Sequence, residues 1–104
     1  MTWYERLIAA HTAVTKKVSH ATRLKSNRYF VWQEDGANDL LSDNIHSEKI
    51  ITGTTDLYTK LEFDPWGDAL GASFDRLGIN WELILVEFEE GTGFYHWSWD
   101  WEVW

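Results

Sequence analysis

Residues 81–104 read WELILVEFEEGTGFYHWSWDWEVW. Two runs rich in β-branched and aromatic residues flank Gly91-Thr92-Gly93, which has the chemistry of a short hairpin loop. Trp81–Glu90 and Phe94–Trp104 are therefore expected as paired antiparallel strands. Because side chains alternate along a strand, Tyr95, Trp97, Trp99, Trp101 and Val103 fall on one face of the second run. Phe94, His96, Ser98, Asp100, Glu102 and Trp104 fall on the other. In the first run the same alternation puts Trp81, Leu83 and Leu85 on one face and Ile84, Val86 and Phe88 on the other. Both faces then carry apolar surface, whereas a small domain has helices for only one, and this imbalance favours an oligomer. Two roles for the tryptophan stripe stay open: core beneath helices, or an exposed platform for sugars or for another subunit.

Working back from the hairpin, Asp64-Pro65 opens a helix, with Asp as N-cap and Pro where its missing N–H costs nothing. Trp66, Ala69, Leu70, Phe74 and Leu77 form its apolar face and Gly78 stops it. Gly67 and Gly71 weaken that helix by ~1 kcal/mol each relative to Ala, which predicts a close backbone approach there. The run from Glu48 to Phe63 alternates as a long strand, with Ile51, Thr55, Leu57, Leu61 and Phe63 on one side and Gly53 as a bulge or close-approach point. Leu40–Ser47 has no assignment. Asp35-Gly36-Ala37-Asn38-Asp39 reads as a turn after a strand at Arg28–Glu34. A first helix is expected from about Thr2 to Ala21, opened by a Thr2/Glu5 capping box. The order α-β-β-α-β-β predicts an α+β fold, a four-stranded antiparallel sheet with two helices, as one domain over residues 1–104.

Composition narrows the function. The chain has 104 residues, no cysteine, four histidines and eight tryptophans, and its formal charge is −8. Without cysteine there is no disulfide, thiolate metal site or Cys nucleophile. MTWYERLIAAHTAV is not a secretory signal, and no apolar run approaches the ~20 residues of a membrane span, so a soluble, cytosol-compatible domain is expected. The charge is divided. Residues 1–28 hold Arg6, Lys16, Lys17, Arg23, Lys25 and Arg28 against Glu5, a net +5, and residues 29–104 carry a net −13. A basic end and an acidic body suit head-to-tail contact between copies.

Chemistry is harder to find. Glu87, Glu89, Glu90, Asp100 and Glu102 cluster around the hairpin and C-terminus, where a pair of carboxylates can meet the ~5–10 Å spacing of a glycosidase, but any acidic hairpin offers that. Residues 35–44 lack the alternating ligand spacing of a calcium loop. His11, His20, His46 and His96 are scattered, which argues against zinc, and His11 reads as a satisfied ring on the apolar side of the first helix. There is no phosphate-cradling loop, nucleophile elbow or dinucleotide fingerprint. No enzyme activity, cofactor or metal is expected.

The segments YFVWQEDG (29–36), DNIHSEKI (43–50), TTDLYTKLEFDPW (54–66), GINW (78–81) and FEEGTGFYHWSWDWEV (88–103) resemble small proteins of tailed phages and prophages of Gram-positive bacteria. These are encoded among head–tail joining and tail genes and described as minor capsid or tail completion proteins. The resemblance covers most of the chain beyond residue 28 and rests on composition and element order. It implies an antiparallel sheet flanked by helices and a ring, typically a hexamer, between tail tube and head. It also implies neighbouring connector and tail-tube proteins, DNA passing without specific binding, no membrane, and a virion assembled in the host cytoplasm. Neck completion protein and tail terminator both stay open.

On this reading Trp97, Trp99, Trp101 and Trp104 serve packing or subunit contact, Arg23, Lys25 and Arg28 form a basic patch, and Glu87, Glu89, Glu90 and Glu102 face the pore or an interface. An acidic lumen would repel phosphate. The rival reading is a small carbohydrate-binding module that uses the C-terminal tryptophan stripe. A third is an inhibitor that mimics DNA, for which the +5 segment has no use.

Overall fold

The computed structural model describes residues 1–39 and 49–104, so Leu40–Ser47 lies outside the described residues. The elements are α1 (Trp3–Thr12), β1 (Val18–His20), β2 (Arg28–Asp39), β3 (Lys49–Thr59), α2 (Pro65–Arg76), β4 (Asn80–Glu89) and β5 (Phe94–Val103). Among the described residues the class is α+β with two helices, as expected, but the sheet has five strands in the order β1-β2-β3-β5-β4. The additional strand is β1, which pairs with β2 in parallel while every other pair is antiparallel.

β1 exists because the first helix is shorter than its apolar spacing implies. The Thr2/Glu5 capping box forms: the Glu5 amide donates to Thr2 Oγ1 (3.1 Å) and the Thr2 amide to Glu5 Oε1 (3.0 Å). Beyond Thr12, however, Val14, Thr15 and Val18 are β-branched and lose χ1 freedom against a preceding helical turn. The Lys17 amide donates to Thr15 Oγ1 in a local turn, and the chain returns as an edge strand.

The expected turn at Asp35–Asp39 is also strand. β2 continues to Asp39, and Asp35 is the extra residue where the register shifts between Glu34↔Gly53 and Gly36↔Thr52. Its carboxylate accepts from the Thr52 and Thr54 hydroxyls across the pair, so Asp35 satisfies a bulge instead of starting a turn. β3 ends at Thr59, which leaves Leu61 and Phe63 outside it and exposed.

A second bulge reorganises the C-terminal hairpin. Register shifts between Leu83↔Trp99 and Leu85↔Ser98, leaving Ile84 as the additional residue of β4. Trp81, Leu83, Val86 and Phe88 therefore stand opposite Trp101, Trp99, Trp97 and Tyr95, all on the face toward the helices. Glu82, Leu85, Glu87 and Glu89 take the other. Strict alternation had divided these apolar residues between the two faces; one bulge collects four of them on one.

The core lies between that face and the helices: Leu7 and Ala10 of α1, Leu70 and Phe74 of α2, and Phe30, Trp32, Leu57, Trp99, Trp101 and Val103 of the sheet. Trp99 and Trp101 are 1% and 2% exposed. Each such indole removes on the order of 200 Å² from water, worth about 5 kcal/mol. His11 is built into this core. Its Nδ1–H donates to the Leu7 carbonyl (2.6 Å) and its Nε2 accepts from the Thr55 hydroxyl (2.8 Å). The Thr55 oxygen in turn accepts from Trp101 Nε1 (2.9 Å). Two close approaches allow the packing. A Cβ on Gly53 would lie 2.2 Å from the Trp101 ring, and one on Gly67 2.3 Å from the Trp97 ring. The expected close approach at Gly67 is therefore made by an indole and not by backbone. Among the described residues, no helix is long and apolar enough to cross a membrane.

Candidate functional site

Two helices cannot cover five strands, and the uncovered part is at the β4 edge. There Trp81, Leu83, Ile84, Leu85, Val86 and Phe88 are 37–52% exposed. Leu83, Val86 and Phe88 join Tyr95, Trp97 and Phe63 around an open hollow of about 560 Å³, rimmed by Glu62, Asp68 and Glu87. Phe63 is 84% exposed and sits at φ 55°, a left-handed conformation that is strained for a side chain of its size. β4 pairs only with β5 among the described residues, so its outer backbone groups are open to a further strand.

The opposite edge has the reverse charge. β1 is followed by Arg23 and Lys25 and preceded by Lys16 and Lys17. On the helix side, Trp3, Tyr4, Ile8, Val18 and Trp32 line an apolar groove of about 470 Å³ with Lys16, His20 and Glu34 at its rim. His20 stacks on Trp32 at 4.1 Å and bonds Glu34 at 2.6 Å, a contact that holds the Glu34 carboxyl below its ordinary pKa. Between the two edges, the face away from the helices is acidic. Asp35, Glu82, Asp100 and Glu102 gather around a shallow depression of about 360 Å³.

The residues singled out in the sequence divide accordingly. Of the two roles open to them, packing or subunit contact, Trp99 and Trp101 take packing: both are core beneath the helices. Trp97 packs partly buried on Gly67, and its Nε1 is a buried donor without a partner among the described residues. Trp104 is 44% exposed. Arg28, expected in the basic patch, is paired within the subunit. It donates twice to Asp64, Nε to Oδ2 at 2.8 Å and Nη2 to Oδ1 at 2.5 Å, and lies 3.7 Å over the Trp66 ring. Asp64 is the buried N-cap of α2, taking the Trp66 amide and the Thr59 hydroxyl as well. Burial pushes its carboxyl up, but these hydrogen bonds outweigh burial and hold it below the usual carboxylate value.

Arg23 lies 4.2 Å over the Tyr58 ring and donates to the Tyr29 hydroxyl, and Lys25 is exposed. Glu87 and Glu89 flank His96, whose Nδ1 lies 3.4 Å and 3.8 Å from them, while its Nε2 is 2.7 Å from Asp56. One ligand atom each from Glu87, Glu89 and His96 lies within 4.8 Å of the others, a grouping invisible in the sequence because it spans two strands. Glu90 is exposed at the hairpin loop, and Glu102 lies on the acidic face opposite Asn80.

Sequence reading missed Phe63, the Leu83–Val86–Phe88 row and the β1 edge. The row was hidden by the bulge at Ile84. Phe63 had one signal, an aromatic immediately before a helix N-cap, where an apolar residue commonly packs back on the first turn; here it points out instead.

No protein-family model matches the chain, and no curated protein matches it. Among solved structures it is similar to a chain of the virion of native gene transfer agent (GTA) particle. The TM-score is 0.49 at 10% sequence identity, over 96% of this chain and 88% of that one.

Proposed function

We propose that the chain is a structural virion subunit that acts by docking, forming part of a ring at the joint between head and tail tube of a phage-type particle. The observation that carries the reading is the pair of unlike sheet edges, one apolar and flanked by acids, one apolar and flanked by Lys16, Lys17 and Lys25. A ring needs heterologous contact, in which one surface of a subunit meets a different surface of the next. The acidic face fits the same reading. Glu87, Glu89 and Glu102, with Glu82 and Asp100, share the side of the sheet away from the helices, so a ring with helices outward lines its lumen with carboxylates. Such a lumen passes DNA without holding its phosphates. The resemblance of residues 29–103 to tail completion and minor capsid proteins of phages supports the same role.

The carbohydrate-module reading required an exposed tryptophan stripe, and in the fold Trp99 and Trp101 of that stripe are buried. The virion reading is tested by purifying particles from the organism that carries the gene, identifying their peptides by mass spectrometry and labelling them with antibody. Label at the head–tail joint is expected. Particles that lack the chain, or a gene with no portal, capsid or tail-tube genes beside it, would overturn the proposal.

A further inference from the structure

Resting on that reading, we infer that the occupant of the β4 edge is the β1 edge of a second copy of this chain, paired antiparallel so that one sheet continues into the next. Three observations specify this partner.

The first is the backbone. Among the described residues β1 pairs only with β2: the Phe30 amide donates to the Lys17 carbonyl, and the Ala21 amide donates to the Trp32 carbonyl. Alternate residues of a strand direct their backbone groups to the same side, so Lys17, Ser19 and Ala21 point inward. The N–H and C=O groups of Val18 and His20 then point outward. β4 offers its own open row at the far edge of the sheet.

The second is strand direction. β1 runs with β2, β2 against β3, β3 against β5, and β5 against β4, so β1 and β4 are opposed within one subunit. In a cyclic assembly about an axis along the strands every copy keeps the same sense. β4 of one copy therefore meets β1 of the next antiparallel, the more stable pairing.

The third is chemistry. Glu82, Glu87, Glu89 and Glu90 lie on or beside β4, with Glu62 and Asp68 at the rim of its hollow. Lys16, Lys17 and Lys25 lie beside β1, while Arg23 is turned onto Tyr58 of the sheet face. Both edges carry their apolar flank on the same side of the sheet, Leu83, Val86, Phe88 and Phe63 at one and Tyr4, Ile8 and Val18 at the other. Continuing the sheet brings these flanks together. A two-fold β4–β4 pairing would instead crowd two sets of glutamates into one seam, which is unfavourable.

The test uses two full-length variants, each altered at exposed positions of one edge: Val86→Lys with Phe88→Lys for β4, and Lys16→Glu with Lys17→Glu for β1. Circular dichroism and tryptophan emission check that both remain folded. Sedimentation is run from micromolar to about 1 mM, the weak end of specific association. Wild type is expected to assemble beyond a dimer, less so as salt rises. Each variant alone is expected to be monomeric, and an equimolar mixture to give a 1:1 dimer, since each retains one intact edge. Three results would overturn the inference: monomeric wild type throughout, a β1 variant that associates like wild type, or a mixture that stays monomeric. A chain present in particles but failing the mixture test loses only the edge pairing. A chain that passes it but is absent from particles loses only the virion role.

Discussion

Acidification should destabilise this protein well above the pH at which its carboxylates titrate, because of His11. The ring is fully buried among Phe30, Trp32 and Phe74, with centroids 5.5–6.1 Å away, and its two nitrogens are taken by the Leu7 carbonyl and the Thr55 hydroxyl. Burial lowers its pKa from 6.5 to about 4, with the Leu7 carbonyl opposing that shift. As pH falls through 6.5 the unfolded chain takes up a proton that the folded chain refuses until about pH 4. Stability is thus complete above pH 6.5 and declines down to about 4. Between pH 7 and pH 5 the loss is about 2 kcal/mol, a factor of ~30 in the folding equilibrium and roughly 10 °C in Tm for a domain of this size. Urea titrations followed by tryptophan emission at half-unit pH steps measure it, with His11→Gln as the control that removes the slope. A ring proton of His11 titrating near 6.5 by NMR, or a wild-type slope that survives in His11→Gln, would refute the reasoning.

Three further outcomes follow from single contacts. Gly67→Ala should cost about 1–3 kcal/mol by urea unfolding although Ala is the better helix former by ~1, because its Cβ would meet the Trp97 ring at 2.3 Å; a gain in stability would mean that the indole moves aside freely. Asp64→Ala should cost about 2–3 kcal/mol, against about 1 for an ordinary cap, since it also strands Arg28; a loss no greater than that of a cap would show the ion pair to be idle, and Asp64→Asn, which keeps the cap, isolates the charge. Phe63→Gly should leave the isolated subunit as stable or up to about 1 kcal/mol more so, by relieving a left-handed φ, while weakening its self-association in sedimentation; a clear loss of stability would place Phe63 in the fold instead of on its surface.

How much of this was legible in the sequence depends on how local the cause is. The capping box at Thr2/Glu5, the Asp64-Pro65 helix start, the Gly78 stop and the C-terminal hairpin are written in neighbouring residues, and each forms. His11 as a satisfied ring followed from its place on the apolar side of the first helix. The two bulges were not legible, because a strand shows its period but not where one residue is skipped. One bulge turned an expected turn at Asp35 into strand, and the other moved Val86 and Phe88 to the face of Trp97. β1 was hidden for another reason: three residues are too few to show a period, and Val18 is held by β2, which is distant in sequence. Arg28 was placed in the basic patch with Arg23 and Lys25 because nothing local announces Asp64 as its partner, 36 residues away.

The dimensions of the elements bear on why such a chain would need a neighbour. α1 and α2, of 10 and 12 residues, are about 15 and 18 Å long and ~10 Å across, a footprint of roughly 330 Å². The four long strands, of 10–12 residues spaced ~4.8 Å apart, present roughly 650 Å² on one face. The helices therefore cover about half of it. Alternation without the bulge would have shared the β4 side chains between the acidic face and the uncovered half, leaving each with scattered apolar residues that water tolerates. The bulge at Ile84 instead brings Val86 and Phe88 to the face of Leu83 on the uncovered half, beside Trp81 packed on α2, and leaves the other face acidic. A subunit that worked alone would gain nothing from that concentration, since it enlarges the exposed apolar area in one place. On the proposed edge pairing, the next copy covers that concentration with a contiguous contact on one side and leaves a charged wall on the other.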